Sequence, residues 1–261
     1  MSTAVTPEIG PDQPKQPGMG VFGHIIGMFY EPTKVFEDLA KKPSWSSPLA
    51  AYALLFAMSL VFVTVAGQKI GWEQIQANNL KFASKAQLDR LESLPPEQKA
   101  QQVRIGQKVT QFVSYGFNIL RLVFWAVVAL ILWATFNFGL GSEMKYPDGL
   151  KILLMSCMPY VVCKAALSTV ATLAIKDPET FVMQNPIGTN LGFYLNFNET
   201  SRFLYTLASE YDLFYIWALV LTAIGFSVFA KVKKGTAFGV VFGWAIVWSL
   251  IISALAMLGG R

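Results

Sequence analysis

Charge disappears from this chain in long blocks. Residues 43–68, 122–142, 213–230 and 235–260 contain no Asp, Glu, Lys or Arg, and a fifth apolar block, 152–175, is interrupted only by Lys164. Crossing a hydrocarbon core of about 30 Å at 1.5 Å per residue takes roughly 20 residues. The pattern therefore predicts five membrane-spanning helices, at about 47–67, 112–140, 152–175, 213–230 and 236–258. The last two are separated only by Lys231-Val-Lys233-Lys234-Gly235 and must form an antiparallel hairpin.

The segments between the blocks alternate on a shorter period. Val35, Phe36 and Leu39 fall at helical spacing with acids and lysines on the other side. Together with the short apolar stretch 21–30, they mark 21–46 as an interfacial amphipathic segment in the headgroup plane, entering the bilayer at Pro43-Ser44-Trp45. A helix packed on the loops is the alternative. Residues 1–20, with Pro7, Pro11, Pro14 and Pro17, read as a disordered polar tail. Pro95-Pro96 divides two helices in the first long loop, which suits a hairpin capping the bundle. Tyr146-Pro147-Asp148-Gly149 reads as a turn, and 198–210 as a short surface helix.

Composition narrows the class. Apolar residues make up 54% of the 261 and charged ones 14%, against roughly 25% charged in soluble domains. An all-α polytopic membrane helix bundle fits. A large soluble catalytic domain, a β-barrel of alternating segments and a disulfide scaffold do not. The net charge of +5 is spread along the chain, without the concentrated basic face that nucleic acid would want. Cys157 and Cys163, about 9 Å apart along one helix and on different sides of it, cannot pair. His24 is the single histidine, so no metal site, cofactor or catalytic residue is expected. The short basic loops, 231–234, Lys41-Lys42 and Lys145/Lys151, share one side if there are five spans. That side is expected to be cytoplasmic and to hold the N-terminus, with the C-terminus opposite.

Several short motifs resemble a known family. Pro32-Thr-Lys-Val35-Phe36-Glu37 is followed by Lys42-Pro43-Ser44-Trp45 directly before the spans. Further along come Asn190-Leu191-Gly192, Asp212-Leu213-Phe214-Tyr-Ile216-Trp217 and Ile224-Gly225-Phe226-Ser227, then the basic turn 231–234. Over most of 28–255 the chain resembles the Yip domain family in its bacterial branch. The resemblance implies a five-span bundle in the bacterial inner membrane with a cytoplasmic N-terminus. Eukaryotic relatives are implicated in vesicle trafficking through Rab-type GTPases, but no residue here is assigned as a GTPase contact by motif.

Candidate chemistry begins with the two cations inside the spans, since a charge in hydrocarbon is costly and turns to the bundle interior or to water. One reading is an anion or lipid-phosphate site of Arg121, Asn118 and Lys164. The other is structural, with Arg121 snorkelling to an interface and Lys164 meeting carbonyls freed by the proline kink at Pro159. Asp212 is expected to cap its helix, close to Trp217, with an ion pair to Arg121 or Lys176 across the bundle as the alternative. Gly225 and the Gly235, Gly239, Gly243 series suggest close packing of the last two helices, or else a homo-oligomer seam. The expected function is that of a non-enzymatic scaffold or adaptor acting through lipids, anionic ones included, or an unidentified protein. The alternative is a small permease or export component using Arg121 and Lys164 for an anionic ligand. A cavity reaching Lys164 favours transport, and a solid core favours scaffolding.

Overall fold

The computed structural model describes residues 18–42 and 44–258. The predicted disordered tail falls largely on residues outside these. Ten α-helices occur among the described residues: α1 Val21–Tyr30, α2 Pro32–Lys41, α3 Ser46–Lys69, α4 Trp72–Leu80, α5 Lys85–Glu92, α6 Pro96–Ala134, α7 Tyr146–Ala174, α8 Arg202–Glu210, α9 Leu213–Phe229 and α10 Lys234–Leu258. A π-helical turn, Thr135–Gly139, finishes α6. Helices α3, α6, α7 and α10 are each long and apolar enough to cross a membrane. Helix α9 has 17 residues, about 26 Å at the α-helical rise. It reaches a full span only together with α8, at a 57° bend. The five-span all-α bundle thus holds, with its fourth span short.

Helix α7 is the hub. Every residue from 151 to 159 is buried, and the helix packs along α3, α9 and α6. It runs on through Pro159. It also starts six residues before the predicted span, because Pro147 in the first turn and Asp148 near the positive helix end favour a start as much as a turn. The consequence is a buried Lys151, held 3.1 Å from Asp148 and 5.2 Å above the Trp45 ring. In lipid the apolar effect does not press helices together, so close contact must. Gly225 supplies it: a β-carbon there would come within 2.5 Å of Ile152 and 3.0 Å of Phe36.

The segment 21–46 forms a two-helix hairpin turning at Glu31. Val35, Phe36 and Leu39 are buried against the bundle, so this face of α2 packs on the helices and not on the loops. Phe36 meets Phe229 edge to face, and Phe29 meets Trp217 at 5.6 Å. The hairpin therefore touches α9 over twelve residues, about 18 Å of helix. The apolar stripe it leaves outside is on α1: Phe22, Ile26 and Tyr30. The single histidine, His24, lies within this hairpin. It is buried, hydrogen-bonded to Ser47 at 2.7 Å and to Asp38 at 2.9 Å, and ties the hairpin to the start of α3.

Two further expectations change. The second helix after Pro95-Pro96 does not stop before the span but runs into it as one helix of 39 residues, about 58 Å long. Its outer part stands beyond any bilayer core, braced by α4. A β-carbon on Gly235, Gly239 or Gly243 would meet nothing within 4 Å. These glycines face outward and do not seal α10 to α9.

Candidate functional site

Helices α3, α6 and α7 diverge toward the end opposite the Lys231 turn and leave a cavity of about 600 Å³ between them. Ser59, Asn118, Arg121, Tyr160 and Lys164 line its walls, and Gln184, Pro186 and Glu210 lie at the loop end. The three residues proposed for anion binding are therefore brought together. Their circumstances differ sharply.

Arg121 donates through Nη1 to Asn118 Oδ1 at 3.0 Å and to Ser59 Oγ at 3.3 Å. Its plane lies 5.0 Å from the Phe117 ring centre and 5.9 Å from that of Trp125. All of these partners are uncharged. A guanidinium carries five N–H donors in a fixed fork, and the side-chain bonds of Arg121 both leave from Nη1, in a residue that lines the cavity. Arg121 does not snorkel from the start of its helix, because α6 begins 25 residues earlier at Pro96. Asn118 is 1% exposed. Its backbone carbonyl accepts from the Tyr52 hydroxyl at 2.8 Å, which locks this turn of α6 to α3.

Lys164 has a carboxylate. Its Nζ lies 2.9 Å from Asp212 Oδ2, so the proposed contact with carbonyls freed by Pro159 is replaced by an ion pair. Asp212 also accepts from the Phe214 N–H at 2.9 Å, capping α9, and from the Thr189 hydroxyl. The Leu213 N–H returns a bond to the Thr189 carbonyl. Asp212 is thus the expected helix cap, and its cross-bundle partner is Lys164 in place of Arg121 or Lys176. A lysine neutralised in this way is a fastener between α7 and α9, and among the described residues it leaves Arg121 as the cavity's uncompensated cation.

Glu210, which no motif singles out, is the cavity's other charge without an ion pair among the described residues. It ends α8, on the loop side of the 57° bend before α9. Burial pushes its carboxyl above the usual range, partly opposed by the nearby Lys164 ammonium.

Depth follows from the packing. Gly149 approaches the Ala129 carbonyl. Arg121, eight residues before Ala129, is about 12 Å along the bundle from that level, and Lys164, fifteen residues after Gly149, is about 22 Å. Arg121 is therefore the inner group, and Lys164, Asp212 and Glu210 form the rim roughly 10 Å further out. Beyond Arg121 the bundle closes: Phe136, Ile152, Met155 and Phe226 are fully buried, and the Phe136 and Phe226 rings stack at 4.7 Å.

Long apolar helices around one inward-facing guanidinium define a polytopic α-helical membrane protein, with apolar side chains such as Phe112, Ile119 and Val123 exposed where a soluble fold would carry charge. Residues 26–258 match the Yip1 domain, and the chain belongs to that family. No curated protein and no solved structure matched the chain.

Proposed function

We propose that the chain is a non-enzymatic Yip-type membrane scaffold that works through lipid contact, holding a phosphate-bearing head group at Arg121. The observation that carries this reading is the Arg121 fork, opening on a cavity with only uncharged groups bound to it. A guanidinium in a low-dielectric site binds phosphate in a bidentate, charge-assisted manner. Asn118 and Ser59 hold the fork in place. The cavity does reach Lys164, the feature expected of a transporter, but the closed packing beyond Arg121 supports a blind pocket over a passage for a solute. The basic turn at Lys231, Lys233 and Lys234 and the pair Lys41 and Lys42 support an inner-membrane orientation with the N-terminus in the bacterial cytoplasm. The cavity would then serve the outer leaflet. The open ridge of Gly235, Gly239 and Gly243 is where a second copy or another membrane helix would approach most closely.

Native mass spectrometry of the protein released from nanodiscs containing phosphatidylglycerol tests the head-group reading. Arg121→Leu is expected to lower retained lipid about tenfold, with the thermal midpoint measured alongside to verify folding. Retention unchanged in a folded Arg121→Leu protein overturns the reading.

A further inference from the structure

The Arg121 cavity does not carry the charge of a simple anion site. Four charged groups among the described residues belong to it or its rim. Lys164 and Asp212 cancel at 2.9 Å. What remains is one cation at the inner end, Arg121, and one carboxylate at the outer end, Glu210. Glu210 forms no salt bridge among the described residues, although Lys164 is near enough to act on it. A site selected for anions alone gains nothing from a carboxylate at its mouth, since a like charge in a half-buried position repels the ligand.

We infer that the cavity is matched to a zwitterion, a phosphate joined to a primary ammonium as in the phosphoethanolamine head group, with the phosphate on Arg121 and the ammonium on Glu210. This inference rests on the Arg121 reading above and extends it to the second charge. Along the helices the backbone of Arg121 lies roughly 10 Å deeper than that of Lys164, which is near Glu210. Two charge-assisted contacts of about 2.8 Å each, with the four bonds from phosphorus to nitrogen between them, cover that offset. The order is also the one a membrane lipid would need if it entered sideways between α3 and α6. Those helices touch far less than α3 and α7 do, which leaves room for a head group between them. A phosphatidylglycerol head group would satisfy Arg121 and leave Glu210 facing neutral hydroxyls.

The test is competition between two lipids. The full-length protein is placed in nanodiscs of equal phosphatidylethanolamine and phosphatidylglycerol, and co-purified lipid is counted by native mass spectrometry. The wild type is expected to retain the ethanolamine lipid about fivefold over its share. Glu210→Gln should bring the ratio to about one while total retention persists, and Glu210→Lys should reverse it in favour of phosphatidylglycerol, a gain that misfolding does not produce. Arg121→Leu should abolish retention of both. A ratio that ignores Glu210 while Arg121→Leu still empties the site sinks the zwitterion and spares the anion site. Retention that ignores Arg121 sinks both. Excess soluble O-phosphoethanolamine separates the sources: displacement shows recognition of the free head group, and persistence shows that the acyl chains are required, the phosphate–ammonium chemistry holding in either case.

Discussion

Lys164 Nζ and Asp212 Oδ2 meet at 2.9 Å across 48 residues of chain. The pair closes a three-way junction, because Asp212 also caps α9 and holds Thr189 of the preceding loop. The aspartate side chain is 3% exposed and the lysine 21%. Removing one member of a buried pair costs about 3–5 kcal/mol, chiefly through the charge left behind. The lysine's partial access to the cavity puts Lys164→Met near the lower end. Thermal unfolding in detergent should show Asp212→Ala as the more damaging change, since it also removes a cap worth about 1 kcal/mol. Lys164→Met combined with Asp212→Asn should recover part of the loss, and strict additivity of the two would show that no coupling exists.

The same junction marks how far a sequence of this kind can be read. Uncharged blocks of about twenty residues announce spans because charge in hydrocarbon is so costly, and α3, α6, α7 and α10 followed. Pairing between blocks leaves no such mark. Asp212 falls one residue outside its span, so Lys164 looked unneutralised. Helix starts were ambiguous for a local reason: Tyr146-Pro147-Asp148-Gly149 suits a turn and a first helical turn equally, and only the packing of Gly149 on Ala129 decides. The direction of the α10 glycines was hidden because that helix is apolar on every side. Glu210 looked like one loop acid among five, and its meaning comes from the cavity it faces.

Gly225 and Gly239 should respond to the same substitution in opposite ways. At Gly225 a β-carbon would lie 2.5 Å from Ile152, and neither α7 nor the Phe36 ring can retreat within a packed core. Gly225→Ala should destabilise by about 1–3 kcal/mol through overpacking. At Gly239 nothing stands within 4 Å, and alanine is the better helix former by up to about 1 kcal/mol. Gly239→Ala should leave the midpoint of a detergent-isolated protomer unchanged or higher. Equal losses at both positions would contradict the outward-facing ridge.

The hairpin of α1 and α2 hangs on His24. Its ring joins Asp38 on α2 and Ser47 on α3 within a site where it is 5% exposed. His24→Ala strands both partners at a cost of about 1–3 kcal/mol, and that cost falls on one contact surface. Limited proteolysis should therefore cut between α2 and α3 sooner in this variant, while the spans stay protected. Cleavage at the wild-type rate would show that Phe36 and Phe29 alone hold the hairpin.

Glu210 should trade stability for its position at the cavity rim. Burial raises its carboxyl above the ordinary value of 4.5, with the Lys164 ammonium acting the other way. Between the ordinary and the raised value the folded protein binds more protons at this residue than the unfolded chain does. Unfolding free energy therefore falls as pH rises through that window, and above it the ionised carboxylate exerts its full destabilising effect. Glu210→Gln removes the titration. The variant should unfold at a higher temperature than the wild type at neutral pH and converge with it in acid, where both side chains are uncharged. Added phosphatidylethanolamine should narrow the neutral-pH gap, because an ammonium placed on the carboxylate favours the ionised form. A variant that is less stable than wild type at neutral pH would show that Glu210 already has its charge satisfied within the fold, and would remove the reason for a cationic group on the ligand.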